Sequence, residues 1–294
     1  MPPSGDERRD AADDFQHMAL RSFLSLLCFV ACTAAVAGCG GDTLSFDPVA
    51  SAATKTAASE SSRVAFTATT SVDGVGGMAF SGAGVFDGRL RSGALNMRFQ
   101  VPAAMQAQLG GGDPTMEMIM DGRDGLVLYM RSALFNRIAG DKWMKVDVAQ
   151  QAEKDGLDLQ AIMNSTQADP SQTLAMLTAS TDAHPVDYER VRGVSTTHYK
   201  LTVDLERLAK EHKELRESFD TLRKLTGISS YPAEAWIDKA DRVRRLKIDM
   251  SYNTPAGAFS MSMTEELYAF GIKVDVRPPD ASQVVDLSAL TPGG

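Results

Sequence analysis

Three cysteines and four histidines bound the chemistry open to this chain. His184, His198 and His212 stand far apart, with no His-x-x-x-His pair and no cysteine partner to complete a metal site. His198-Tyr199 is the most tempting pair. An imidazole without an orienting acid and a nucleophile does no catalysis, however, so the expected role is a strand histidine hydrogen-bonded to a neighbour. There is no Gly-x-Ser-x-Gly elbow, Ser-x-x-Lys, phosphate-cradling loop or dinucleotide fingerprint. The glycines of Gly74-Val75-Gly76-Gly77 and Gly82-Ala83-Gly84 fall within hairpin strands, where they permit sharp sheet curvature. Trp143 and Trp236, each beside an Asp and Lys turn, read as packing residues at strand ends, with ligand stacking as the lesser alternative. The expectation is no catalysis, no metal and no cofactor.

Cys39 has another chemistry in prospect. Arg21 gives a positive flank, Phe23 to Cys32 is an apolar run, and small residues lead to Val36-Ala37-Gly38-Cys39. That order is the pattern of an export signal. Its end resembles a lipobox, in which the thiol is diacylated and the peptide before it is removed. Cys39 is therefore the expected lipid attachment site. The apolar run is shorter than the roughly 20 residues a spanning helix needs. Residues Met1 to His17 carry five acids, the wrong charge for the start of a signal, so Met18 is the expected start. The chain divides into a signal over 1–38, a lipidated tether over 39–47 and a single domain over 48–294.

Cleavage would leave 27 basic against 33 acidic residues, with no basic block to neutralise phosphates, which argues against a nucleic-acid partner. Membrane attachment must then come from acyl chains. Cys28 and Cys32 leave with the signal, so the domain has no disulfide and stands on its hydrophobic core. Thirteen of the fifteen methionines remain, and these flexible, polarizable side chains suit either irregular core gaps or a variable apolar surface.

Asp47-Pro48 opens an Ala-rich helix running to about Ser61. From Arg63 the period changes to two, and hairpin strands follow around 64–72, 78–86, 95–101, 116–121, 126–130 and 143–148. The centre is helical around 157–178. Two strands come next, around 186–191 and 196–203, and then a helix from Asp204 to Thr226 with a Leu and Phe stripe, stopped by Gly227. Strands return over 233–237, 243–252 and 258–270. The fold class is α+β: one curved antiparallel half-barrel of about ten strands with helices over its concave face.

Three segments together carry a family likeness. They are Leu128-Tyr129-Met130 with Gly140-Asp141-Lys142-Trp143-Met144-Lys145-Val146-Asp147; Val191-Arg192-Gly193-Val194-Ser195-Thr196-Thr197-His198-Tyr199; and Tyr231-Pro232-Ala233-Glu234-Ala235-Trp236-Ile237-Asp238 with Val243-Arg244-Arg245-Leu246. In order and spacing they resemble the LppX/LprG type of actinobacterial envelope lipoprotein, related in fold to the LolA and LolB carriers. Each segment consists mostly of turn and packing residues. The resemblance implies a half-barrel closed by helices around an apolar cavity for acyl chains, with a lipid or lipoglycan as cargo. It also implies a site on the outer face of the plasma membrane, and an envelope transporter as a partner.

The residues expected to line that cavity are Phe66, Phe80, Leu95, Met97, Phe99, Met118, Leu128, Met130, Leu215, Phe219, Leu222, Met250 and Met261. A close-packed core needs the same residue types, and periodicity does not say which faces point inward. The competing reading is a protein-binding or sensory module, such as an anti-sigma regulator, on the same fold with a filled core.

Overall fold

The computed structural model describes residues 48–287, other than 60, 74–75, 91, 103–105, 108–114, 149, 151–176, 178, 212–215, 217–219, 221–222, 225 and 255–256. After a helix over Pro48–Ala57 (α1) come β1 Ser61–Val72, β2 Gly76–Asp87, β3 Ser92–Gln100, β4 Thr115–Asp121, β5 Val127–Arg131 and β6 Trp143–Asp147. The second half supplies β7 His184–Val191, β8 Val194–Asp204, β9 Ser230–Asp238, β10 Val243–Thr254 and β11 Gly257–Tyr268, then β12 Val284–Asp286.

All twelve join one open, strongly curved sheet in the order β12-β6-β5-β4-β3-β2-β1-β11-β10-β9-β8-β7. Two meanders explain that order. Each of β1 to β5 hydrogen-bonds to the strand that follows it, as does each of β7 to β10, and the halves meet where β11 runs antiparallel to β1. The sheet thus has twelve strands where about ten were expected. The strand that sequence reading missed is β12, three residues long and parallel to β6, too short to show a period.

Local signals account for the turns. Arg192 and Gly193 both have positive φ, 48° and 81°, and form the two-residue connection between Val191 and Val194 that matches the twist of paired strands. Asp204 caps the helix that follows β8, its Oδ1 accepting the N–H groups of Glu206 and Arg207 at 2.8 and 3.0 Å. The described part of that helix is Leu205–Glu211, and downstream Gly227, at φ 72°, donates its N–H to Arg223 O, as the expected stop requires. The opening helix ends at Ala57 rather than near Ser61, because β1 already begins at Ser61 and pairs with β2 there. Most of the helical centre around 157–178 lies outside the described residues.

Candidate functional site

The registers settle which side chains share the core-bearing face of the curved sheet, the concave face of the expected half-barrel. One row across the sheet reads Tyr199, Ala235, Leu246, Glu265, Phe66, Gly82, Met97, Met116. The row on one side of it reads Leu201, Ala233, Ile248, Met263, Ala68, Phe80, Phe99. The row on the other side reads Leu267, Val64, Gly84, Leu95, Met118, Met130, Met144, Val285. Except for Glu265 the three rows are apolar, and most of their side chains belong to one buried cluster.

All ten described members of the expected cavity lining fall on this face. Phe66, Phe80, Leu95, Met97, Phe99, Met118 and Met130 are buried; Leu128, Met250 and Met261 are half-buried nearer its margins. Leu215, Phe219, Leu222 and Cys39 lie outside the described residues. Val49, Ala52 and Ala53 of α1 pack into the same cluster, as do Leu205 and Leu208. The Thr56 hydroxyl ties the end of α1 to the sheet, accepting the Val243 N–H at 2.7 Å while donating to Ala52 O.

Two glycines make room on this face. A Cβ at Gly82 would stand 2.5 Å from Phe66 Cζ, so the absent side chain is the space the phenyl ring occupies. A Cβ at Gly84 would run into the backbone carbonyl of Ala94 and the Leu95 side chain. Beyond the last apolar row, at the end of β1 to β3, lies an open cleft of about 410 Å³ lined by Thr70, Met78, Val101, Pro102 and Ser260 among others.

Glu265 is the exception within the rows. It is 3% exposed, and its Oε2 has no hydrogen-bond partner among the described residues. Burial pushes its carboxyl up to about 8, so it stays protonated at neutral pH. Tyr231 is raised by burial as well.

The opposite face carries the polar work and most of the motif residues. His198 Nε2 meets Glu234 Oε2 at 2.6 Å and Nδ1 meets Glu189 Oε1 at 3.4 Å, while its ring stacks on Trp236 with centroids 4.2 Å apart. The histidine is thus held by cross-strand carboxylates, hydrogen-bonded to a neighbour as expected. Arg245 lies over the Trp236 ring and pairs with Glu266 at 2.7 Å, and Arg131 lies over the Trp143 ring. Both tryptophans are buried on the side away from the apolar rows, as packing residues. At the β9–β10 turn Asp238 Oδ1 accepts the Ala240 and Arg242 N–H groups and Oδ2 accepts Arg244 Nε at 2.6 Å. Burial works against the charge of Asp238, but these hydrogen bonds prevail and hold its carboxyl below the usual range. Among the described residues no group of His, Cys, Asp and Glu is arranged to hold a metal ion.

This is one open, strongly curved, mostly antiparallel sheet with one apolar face. No family profile matches the chain. An uncharacterized 31.2 kDa protein of Streptomyces griseus, in the rplA-rplJ intergenic region, is 29% identical over 250 residues, covering 82% of this chain and 78% of that one. Among solved structures, Mycobacterium tuberculosis lipoprotein LppX matches with 16% identity and a TM-score of 0.42, over 76% of this chain and 92% of its own. LprF from Mycobacterium bovis matches with 14% identity and a TM-score of 0.45, over 79% of this chain and 95% of its own.

Proposed function

We propose that this chain is a lipid-anchored protein of the cell envelope that holds the acyl chains of a lipid or lipoglycan against its concave face, without catalysing a reaction. The observation that carries the reading is the run of methionines set directly beside one another in the register: Met118, Met130 and Met144 across β4 to β6, Met97 against Met116, and Met250 against Met261. A core that needs only one packing gains little from such flexible side chains, whereas a surface that takes chains of varied shape uses their adaptability. Each buried methylene is worth ~0.8 kcal/mol, so even a short stretch of chain offsets extraction from a bilayer. Cys39 would tether the 48–294 domain to the outer face of the plasma membrane, and Leu215, Phe219 and Leu222 would be among the residues lining the cavity.

Native mass spectrometry of the membrane-extracted protein tests the cargo, and displacement of a fluorescent fatty-acid probe tests the face. Bound lipid and displacement are expected; neither being seen would transfer the proposal to the partner-binding reading. That second reading has its own support in edge strand β7, nearly all of which is exposed, with Tyr188 82% accessible. The anchor is tested separately. Cys39→Ala should abolish acylation and processing, and unchanged cleavage after Gly38 with no acyl mass on the wild-type peptide would exclude it.

A further inference from the structure

We infer that Glu265 reads the cargo: its carboxyl, set in the middle of the concave face, hydrogen-bonds an uncharged oxygen function, a hydroxyl or an ester, of the bound amphiphile. This rests on the acyl-chain reading above. In the register Glu265 stands between Leu246 and Phe66, and the neighbouring inward positions of its own strand are Met263 and Leu267. These described neighbours of the carboxyl on this face are all apolar. Other buried polar groups of the described structure are matched, such as the Thr56 hydroxyl between Ala52 O and the Val243 N–H, and Asp238 with Arg244 and the turn amides; Ser180 Oγ, Trp236 Nε1 and Arg242 Nε are not, but none of these is a carboxyl set within the apolar rows. At Glu265 the Oε2 is left without a partner among the described residues. An unmet buried polar group costs stability, and only a partner that arrives later can recover that cost.

The chemistry of the partner follows from the state of the acid. Burial favours the neutral form, which offers one O–H donor and one carbonyl acceptor. A hydroxyl or ester beside an acyl chain satisfies these without bringing in charge. An alkylammonium would require the carboxyl to ionise among apolar side chains, and a fatty-acid anion would put its own charge there.

The test uses the full chain, purified in mild detergent and stripped of lipid, with three probes of one chain length: monoolein, oleate and oleylamine. Each competes against a fluorescent acyl probe for the wild type, Glu265→Gln and Glu265→Leu. Monoolein should compete best, and Glu265→Gln, which keeps a donor and an acceptor, should retain that order. Glu265→Leu should lose about tenfold in monoolein affinity, the worth of one hydrogen bond, while folding at least as stably. Unchanged monoolein affinity in Glu265→Leu, or a wild-type preference for oleylamine, overturns the inference and leaves the proposed function standing. If the wild type binds none of the three, both fall.

Discussion

Replacing Glu265 by glutamine should change how stability depends on pH, and the size of the change follows from the burial of this one carboxyl. In the unfolded chain the group titrates near 4.5, and in the folded protein burial holds its proton until about 8. Below 4.5 both states are protonated and the carboxyl adds no pH dependence. Between 4.5 and 8 the unfolded chain sheds the proton while the folded protein keeps it, so stability falls as pH rises, by ~1.4 kcal/mol for each pH unit. The loss reaches about 3 kcal/mol at pH 7 and about 5 kcal/mol at pH 8, beyond which both states are ionised and the curve flattens. Glutamine does not titrate, so the variant lacks this slope. Denaturant melts of the two proteins at matched pH values cancel every other acid in the difference. Glutamine should add its own fixed offset at pH 4.5 and gain steadily on the wild type up to pH 8. A difference constant across that range would mean that Glu265 is solvated or paired in solution, and the argument from its burial would fail.

Two other perturbations probe the frame. Gly84→Ala places a methyl against the Ala94 carbonyl and the Leu95 side chain, so the backbone must shift at a cost of ~1–3 kcal/mol; Gly77→Ala, whose Cβ would meet its nearest atom at 3.4 Å, should melt within ~0.5 kcal/mol of wild type. Equal melts for the two variants would show that the strands do not approach as closely as described. Asp238→Ala strands the Arg244 cation and two turn amides, and thermal melts at neutral pH should show a loss of ~3–5 kcal/mol. Because hydrogen bonds hold the Asp238 carboxyl below its ordinary value, its contribution is present at neutral pH and lost as acid protonates it; a variant gap that does not narrow in acid counts against the pairing.

Legibility in the sequence followed the range of the interactions. Asp204 and Gly227 mark their helix ends because a cap and a left-handed stop are local, and the structure has both where the sequence puts them. That His198 hydrogen-bonds a neighbour was legible, but which neighbours was not. Glu234 and Glu189 reach it only across strand pairs, one of them 36 residues away in the chain. The helix over 48–57 was drawn too long because Ala and Ser suit either state, and only pairing with β2 starts the strand at Ser61. Glu265 carried a signal that a closer reading could have used. Met261, Met263, Glu265 and Leu267 share one parity in a strand that alternates, so Thr264-Glu265-Glu266 had to send one glutamate to each face. Glu266 goes to the face where Arg245 and Arg192 await it, and Glu265 goes to the apolar side.

The division between the two faces explains why the fold is easier to read from the sequence than the cargo that the proposed function would require. Trp236, His198 and Arg245 sit on the outer face, Arg192 and Gly193 in the β7–β8 turn, and Asp238 with Arg244 at the β9–β10 turn. There the side chains meet particular partners in defined geometries, so residue type and spacing can be read as a motif. The concave face imposes a weaker demand. A row such as Leu95, Met118, Met130, Met144 needs apolar volume and little else, and volume can be met by many residue combinations. Its sequence is therefore composition without pattern, and what distinguishes one cargo from another must come from the few positions that break the composition. Among the three described rows that position is Glu265, so on the proposed acyl-chain reading a single substitution there would separate selection of an amphiphile from mere acceptance of one.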